Sequence, residues 1–362
     1  MDVTNTQKEP AERRYAEELA RLKAEDRAPK PAGWQLSPRA VRRFILGDPA
    51  LDVSRKFYGD DPLVDRCIVS LMGHQGLMLV GEPGTAKSLL SELLAAAISG
   101  NSLLVVQGSA GVIEDHLRYG WNYALLLAEG PSERALVPSP IMNAMQDGKI
   151  ARIEELTRCA PEVQDAMISL LSEKTIAMPE LGAERELRAA RGFNVIATAN
   201  LRDLGVNEMS SALKRRFNFE TVSPIADAAF EKELIAKQLK ERMEDYDIEA
   251  EMPEEVLDVV VSVFRDLRTG RAEDGAVVAQ PKSVMSTAEA VNVAHAALLD
   301  AGYLSAESPT GAHVARQLGG VVFKDDAEDA RKLRAYVDTI ARARGRRSRA
   351  WASFHKAAKS DD

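Results

Sequence analysis

The sequence predicts an α/β fold, in which a parallel sheet carries a phosphate-binding loop, followed by an all-helical domain. The first observation is a strand, a glycine-rich turn and a helix in direct succession between Gly76 and Gly100. The second is a series of further short apolar strands, at residues 103–106, 149–156 and 193–200. The third is the pattern after residue 226, where apolar residues recur at helical spacing.

The stretch that opens the α/β region has the residue order of a phosphate-binding loop. Glycines at 81 and 84 let the backbone N–H groups turn inward toward a triphosphate, and the helix that follows adds partial positive charge. Lys87 is expected over the β- and γ-phosphates of the triphosphate, and the Ser88 hydroxyl on Mg²⁺. The predicted nucleotide-binding residues of this loop are Gly81, Glu82, Pro83, Gly84, Thr85, Ala86, Lys87 and Ser88.

One position of this loop departs from the usual G-x-x-x-x-G-K-[ST] pattern. Ala86 stands where the second glycine is expected, and a methyl group is the smallest possible substitution there. An ordinary strand-to-helix turn with a chance lysine is the alternative. The strand before the turn and the helix after it favour the phosphate-binding loop.

Composition restricts the classes of protein to which the chain can belong. The 362 residues suffice for two domains, and 45% hydrophobic with 28% charged residues is typical of a globular protein in water. A formal net charge of −8 argues against a nucleic-acid-binding surface over the whole protein. Two cysteines far apart predict neither disulfides nor a zinc framework. No signal peptide or membrane span is expected, so the predicted location is the cytoplasm.

The N-terminal segment, residues 1–35, is highly charged. Tyr15, Leu19 and Leu22 fall at helical spacing, so a short amphipathic helix and a frayed tail both fit it. Ser37 followed by Pro38 predicts the start of a helix, because serine caps helices and proline fits their first position.

A long segment, residues 109–147, separates the second strand from the third. It is too long for a plain loop, so we interpret it as a helical insertion with its own role. A helix that covers one face of the sheet is the alternative.

Two adjacent carboxylates, Glu154 and Glu155, end the third strand. The carboxyl ends of parallel strands form the usual ligand-binding edge, and a bend there lets both side chains reach it. Glu154 suits a magnesium ion, and Glu155 suits the attacking water as base or orienting group. Most Glu-Glu pairs are solvated helix starts, and the position downstream of the phosphate-binding loop is what favours the functional interpretation.

The rest of the α/β region adds polar groups at the ends of elements. A helix over 161–171 and a hairpin around Pro179 precede a strand that ends at Asn200, which either contacts a γ-phosphate or simply forms a turn. Arg215 and Arg216 close a short helix before an alternating strand. Basic residues there ordinarily compensate the helix dipole.

These motifs together resemble those of the AAA+ ATPases, specifically the MoxR-type branch and its YehL-like subgroup, over about residues 36–300. The loop at 81–88 matches Walker A, and the pair at 154–155 matches Walker B with glutamate at the metal side. Asn200 matches sensor 1, and Arg216 with neighbouring Arg215 matches the arginine finger. Lys282 matches sensor 2, where many members carry arginine; lysine keeps the charge and loses the bidentate fork.

The resemblance implies a fold and an assembly. It implies an αβα sandwich over 36–225 with strand order 5-1-4-3-2, a helix-2 insertion at 109–147, and a helical lid over 226–362. It also implies ATP and Mg²⁺ as cofactors and a ring of identical subunits, usually a hexamer, that remodels a client protein. A von Willebrand factor A (VWA) domain protein often works with such rings, and any such partner must be a separate chain, because the Asp-x-Ser-x-Ser motif is not found here.

The C-terminal tail is strongly basic, with eight basic residues and one acidic residue between 331 and 349. These arginines either bind phosphates, as nucleic-acid binding requires, or belong to a solvated helix end or an acidic neighbour. Two functions remain open at this point. One is an ATP-hydrolysing ring that remodels a client or helps to insert a metal or cofactor. The other is an ATP-gated scaffold or DNA-associated module with little turnover.

Overall fold

The computed structural model describes residues 8–200, 205–244, 246–248, 250–322 and 326–360. The first seven residues of the predicted N-terminal segment lie outside this description. The chain divides into two compact units. The first takes in Met1–Glu82 and Ala86–Ser223, and the second takes in Pro224–Asp362 with Pro83–Thr85.

The centre of the first unit is a five-stranded parallel sheet. The strands of this unit, including two hairpins, are β1 (Gly76–Val80), β2 (Val105–Gln107), β3 (Tyr119–Trp121), β4 (Leu136–Pro138), β5 (Ile150–Glu154), β6 (Thr175–Ala177), β7 (Glu186–Arg188), β8 (Asn194–Ala199) and β9 (Phe217–Thr221). The sheet order is β2-β5-β8-β1-β9. If only these five strands are numbered along the chain, the order read from β9 to β2 is 5-1-4-3-2. The predicted α/β topology is therefore confirmed.

The register of the sheet places the carboxyl ends of its central strands side by side. Val80 of β1 pairs with Ala199 of β8, and Ile153 of β5 pairs with Ala197 of β8. Every residue of β1, β5 and β8 is buried, as expected for parallel strands covered on both faces. The loops that follow these three strands therefore meet at one edge.

Helices cover both faces of this sheet. The α-helices of the first unit are Ala11–Arg14, Ala16–Glu25, Pro38–Leu46, Asp61–Met72, Lys87–Ser99, Tyr123–Glu129, Pro140–Asp147, Pro161–Ser172 and Ser211–Lys214. Short 3₁₀ turns lie at Pro49–Leu51, Glu114–His116, Leu156–Arg158 and Pro179–Leu181. The predicted cap is present, because the Ser37 hydroxyl accepts a hydrogen bond from the Ala40 amide at 3.2 Å. Lys87–Ser99, the phosphate-loop helix, is buried along most of its length.

The N-terminal segment is helical rather than frayed over its described part. Ala11 and Leu22 are buried in the same apolar cluster as the phosphate-loop helix. The Glu12 carboxylate accepts hydrogen bonds from the amide and the hydroxyl of Ser102, at 3.0 and 2.7 Å. These contacts fix the segment on the α/β unit.

The insertion is helical in part and also contains a hairpin that was not predicted. Its middle is an antiparallel hairpin of β3 and β4 with one short helix, Tyr123–Glu129, between the strands. The sequence favours strands there because β3 has two aromatic residues and β4 has the branched Val137, while the Asn122 side chain caps the short helix. The end of the insertion is a helix that covers one face of the sheet, as the alternative prediction held. There Pro140–Asp147 buries four apolar residues.

The second unit is entirely helical in its described part, apart from one isolated bridge between Arg271 and Val277. Its α-helices are Ala228–Met243, Glu254–Thr269, Thr287–Leu299, Gly311–Val322, Ala327–Tyr336, Arg342–Gly345 and Arg349–Ser360, with π-helical turns at Asp300–Ser305 and Val337–Ala341. The last α-helix, Arg349–Ser360, buries the side chains of Trp351 and Phe354. None of the described helices has the length and apolarity to cross a bilayer.

One arginine of the basic tail has a structural partner inside this unit. Arg344 donates to the carboxylate of Asp266 at 2.8 Å, and Tyr336 donates to the same oxygen, also at 2.8 Å. Burial raises the pKa of Asp266, and the charge of Arg344 partly opposes that shift. The acidic-neighbour alternative is therefore the right one for Arg344. Four other tail arginines are exposed and form no ion pair with a described residue: Arg342, Arg346, Arg347 and Arg349.

Candidate functional site

The predicted phosphate-binding loop leads from β1 into the phosphate-loop helix. Ala86 caps that helix in the left-handed conformation, with φ 66° and ψ 24°. The side chain of Lys87 is buried, and its Nζ donates to the carbonyl oxygens of Gly81 and Glu82, at 3.0 and 2.7 Å. The ammonium group is thereby held against the backbone of the turn that the sequence assigns to the phosphates.

The left-handed conformation of Ala86 explains why glycine is usual at this position. An L-residue with a Cβ pays about 1–2 kcal/mol in this region of dihedral space. Ala86→Gly removes that strain but adds about 0.5–1 kcal/mol of glycine entropy, so we expect urea unfolding to show a gain in the free energy of unfolding of at most about 1.5 kcal/mol. Nucleotide affinity should not fall.

Ala306→Gly is the matched control, because Ala306 is also exposed and left-handed, with φ 51°, and lies in the second unit. It should change stability by a similar amount without any effect on nucleotide binding. A marked loss of stability or of nucleotide affinity in Ala86→Gly would show that the methyl group itself is needed.

The first acidic residue of the pair contacts the phosphate-binding loop directly. Glu154 lies at the end of β5, and its Oε2 accepts hydrogen bonds from the hydroxyls of Ser88 at 2.6 Å and Thr198 at 2.9 Å. Its Oε1 accepts from Ser91 at 2.6 Å and from Arg152 at 2.8 Å. The serine and the carboxylate that the sequence assigned to magnesium are therefore adjacent.

The same contacts keep Glu154 ionised. Burial alone would raise its pKa, but the hydroxyls of Ser88 and Ser91, the charge of Arg152 and the Thr198 hydroxyl together lower that pKa below its usual value of 4.5. The residue is therefore an anion at neutral pH. An ionised carboxylate beside a hydroxyl oxygen is the type of donor set that Mg²⁺ prefers.

The second acidic residue sits at the bend that the sequence analysis expected. Glu155 is left-handed, with φ 54° and ψ 46°, and its amide donates to Thr198 Oγ1 at 2.9 Å. Its side chain is 33% exposed, against 8% for Glu154, and it forms an ion pair with Arg158. The two carboxylates thus share one edge of the sheet, and Glu155 is the one that water can reach.

Asn200 follows β8 at this same edge, next to the end of β1. Its side-chain Oδ1 is buried and has no hydrogen-bond partner among the residues that the structure describes. A buried acceptor without a donor costs free energy, so such an atom indicates a place where a further polar group is accommodated. The Lys87 ammonium and the Ser88–Glu154 pair fit a triphosphate and its metal ion, and the unsatisfied Oδ1 of Asn200 fits a hydrogen-bond donor such as water.

The two predicted finger arginines lie at the amino-terminal end of the parallel strands, opposite the end that carries the loop. They precede β9, whose first residue, Phe217, pairs with Gly76 at the start of β1, while the loop follows Val80. The four residue steps from Gly76 to Val80 separate the two ends of β1 by about 13 Å. Arg216 donates to the Ser172 hydroxyl at 2.9 Å and to the Ala212 carbonyl at 3.0 Å. The exposed side chain of Arg215 has no bond to any described residue.

Lys282 lies in the helical unit among acidic residues. Its exposed Nζ pairs with Glu328 at 2.8 Å and Asp326 at 3.4 Å, and these hydrogen bonds raise its pKa. Its amide donates to the buried carboxylate of Asp329 at 2.7 Å. The sensor 2 role of Lys282 stays a prediction.

Sequence reasoning missed three residues that contact Glu154. They are Ser91, Arg152 and Thr198. Each has a spacing signal within its own element: Ser91 lies three residues after Ser88 on a helix, and Arg152 two residues before Glu154 on a strand. Thr198 likewise lies two residues before Asn200. Such spacings are common, so only the packing of the elements singles these residues out.

Two family descriptions match the chain. "AAA domain (dynein-related subfamily)" matches residues 76–217, and "YehL-like AAA+ ATPase C-terminal domain" matches residues 229–359. YehL of Escherichia coli (strain K12) is 49% identical over 352 residues, covering 97% of this chain and 96% of YehL. SERP0979 of Staphylococcus epidermidis is 26% identical over 269 residues, covering 74% of this chain and 90% of that protein.

Among solved structures, NtrX from Brucella abortus in complex with ATP is similar in fold, with a TM-score of 0.50 and 12% sequence identity. The match covers 75% of this chain and 58% of the NtrX chain, so it spans little more than half of that protein. The resemblance that the sequence motifs indicated is confirmed by the YehL match along nearly the whole length. This chain therefore belongs to the YehL-like AAA+ ATPases.

Proposed function

We propose that this protein hydrolyses ATP to ADP and phosphate in a MoxR-type ring of its own copies, and that this turnover remodels or matures a client protein. The observation that carries the proposal is the 2.6 Å hydrogen bond between Ser88 and Glu154. It joins the phosphate-binding loop to the acidic strand end, and Asn200 directly follows β8, the strand between β1 and β5 in the sheet. Family membership supports ATP as the nucleotide.

Each residue of the site has a role in this proposal. ATP would supply the phosphoryl group, and Mg²⁺ would neutralise charge on its oxygens. The loop Gly81–Ser88 and Lys87 would bind the phosphates, and Ser88 with Glu154 would hold the metal ion. Glu155 would take a proton from water or orient it, and Asn200 Oδ1 would accept a hydrogen bond from that water.

A ring is favoured by the position of the arginines. Because Arg215 and Arg216 are about 13 Å from the loop along the sheet, they cannot serve the site of their own chain. A second copy placed head to tail would receive them, and repeated heterologous contacts of this kind close into rings. Family likeness favours six subunits. Within the helical unit, Lys282 would contribute as sensor 2.

An exposed apolar surface supports the client role. In the helix Tyr123–Glu129 no residue is buried, and the exposed fractions of Tyr123 and Leu127 are 71% and 88%. Exposed apolar groups of this kind mark interaction sites. The hairpin that carries this helix is joined to the second hairpin by hydrogen bonds from Tyr119 to Glu180 and from Arg118 to Ala177. We propose that the client, with a separate VWA-domain protein, is met in the cytoplasm, where ATP is plentiful.

Lys87→Ala tests nucleotide binding. Because Lys87 is the only predicted cation of the loop, its loss should weaken ATP binding by about tenfold or more, since a hydrogen bond to a charged group contributes about 1.5–3 kcal/mol. Binding of a fluorescent ATP analogue to the purified chain would measure this. Lys149→Ala is the control, because Lys149 pairs only with Asp147 among the described residues and lies before β5.

Phosphate release and assembly, measured beside ATP binding, separate the ATPase from the ATP-gated scaffold. Phosphate release by the wild-type protein supports the ATPase. Assembly with ATP but no turnover, even with a VWA-domain partner added, would instead favour an ATP-gated scaffold. Unchanged ATP affinity in Lys87→Ala would remove the loop assignment altogether.

A further inference from the structure

Arg152 is a buried arginine directly behind the proposed metal carboxylate. It lies two residues before Glu154 on β5, so both side chains point to the same face of the sheet. Its Nε donates to Ser91 Oγ at 2.9 Å, and its Nη1 donates to the Ser102 carbonyl at 2.8 Å. Its Nη2 donates to Glu154 Oε1 at 2.8 Å and to the Ser88 carbonyl at 3.1 Å. The guanidinium thus ties the acidic strand to the first turn of the phosphate-loop helix.

We propose that Arg152 and Ser91 are positioning residues that hold Oε1 of Glu154 and so direct Oε2 to magnesium beside the Ser88 hydroxyl. This inference rests on the proposed function, because it assigns the metal-facing oxygen of the same site. Neither residue touches the reacting atoms, and both act through Glu154.

The hydrogen bonds distinguish the two carboxylate oxygens. Oε1 is held by Arg152 and Ser91, both of which are buried. Ser91 has a single hydroxyl proton, and its shorter contact, 2.6 Å to Oε1 against 3.0 Å to the Ser88 carbonyl, indicates that the proton goes to the carboxylate. Oε2 is bonded by Thr198 from the interior and by the exposed Ser88. Only Oε2 therefore faces the opening of the site.

A glutamate at this position needs such a restraint. Compared with the aspartate of the usual motif, Glu154 has one more methylene and one more rotatable bond, which must be immobilised to place the carboxylate. The planar guanidinium of Arg152 binds four acceptors around it in fixed directions, which a lysine ammonium cannot reproduce. Groups that orient a metal ligand commonly change metal affinity by about 10–100-fold when removed.

The test is a magnesium titration of nucleotide binding by the full-length protein and its variants. We expect Arg152→Lys and Arg152→Met to raise the half-saturating Mg²⁺ concentration by about tenfold or more, and Ser91→Ala to raise it less. Binding of the same fluorescent ATP analogue in EDTA should stay unchanged. A merely structural role would instead lower both kinds of binding together, in proportion to the folded fraction.

Arg344→Met is the matched control, because Arg344 also pairs with a buried carboxylate, that of Asp266, and lies in the helical unit. It should destabilise the protein without shifting the magnesium titration. If Arg152→Met fails to fold, Arg152→Lys and Ser91→Ala decide the matter, with circular dichroism to confirm that they are folded.

If wild-type protein shows magnesium-dependent binding and turnover, but folded Arg152→Lys and Ser91→Ala have the wild-type titration, the positioning role is overturned and the proposed function stands. If the wild-type protein binds nucleotide with no dependence on magnesium, the proposed metal site falls and this inference falls with it.

Discussion

Glu155→Gln is expected to reduce phosphate release by about a hundredfold or more while ATP binding stays near the wild-type level, because a general base typically contributes 10²–10⁴ in rate. The physical reason is that glutamine keeps the shape of the side chain but cannot accept a proton from water at neutral pH. The left-handed bend and the backbone bond to Thr198 should survive, since neither involves the carboxylate. A phosphate-release assay and a binding titration with a fluorescent ATP analogue measure the two quantities.

Glu162→Gln is the control for this change. Glu162 is an exposed glutamate at the start of the helix Pro161–Ser172, so its substitution removes one negative charge nearby but outside the proposed site. Its turnover should equal that of the wild-type protein. Undiminished hydrolysis in Glu155→Gln would refute the assignment of Glu155 as the base. Another group would then have to activate the water that attacks ATP.

Loss of both proposed finger arginines is expected to reduce turnover by about a thousandfold, the lower end of the range for arginine fingers, without loss of ATP binding. The double variant Arg215→Ala, Arg216→Ala leaves the phosphate-binding loop, Glu154 and Glu155 intact. Because the arginines lie at the opposite edge of the sheet from the loop, the effect should arise in a neighbouring copy. Phosphate release by the double variant measures it, and the single variants show which arginine matters more.

Mixing experiments test the action between copies. Glu155→Gln chains keep their arginines and the double-arginine chains keep Glu155, so a mixed ring contains some interfaces with both. Activity should reappear on mixing two inactive proteins, with a maximum near equal amounts. Lys214→Ala is the control, since the exposed Lys214 pairs with Glu208 and should be dispensable. Co-assembly without any recovered activity would contradict delivery of the arginines by a neighbour.

The features that the sequence predicted well are those contained in one continuous segment. The loop from Gly81 to Ser88, the Ser37 cap and the apolar strands β1 and β8 depend on neighbours along the chain, whose spacing the sequence states directly. The insertion at 109–147 has helices, as expected, but its hairpin was not predicted. Tyr119–Trp121 and Leu136–Pro138 need each other to form a hairpin, and 14 residues separate them.

The motifs of a YehL-like AAA+ ATPase can be recognised along the chain alone, because phosphate binding and strand burial constrain local residue patterns. The groups that surround Glu154 become known only from the folded chain. The contacts of Ser91, Arg152 and Thr198 arise where three separate elements meet, and that meeting depends on sheet register and helix packing. The register of β9 on β1 likewise places Arg215 and Arg216 at the opposite end of the strands from the phosphate-binding loop. Residue spacing cannot show this, because the edge at which a residue lies is set by how strands pair.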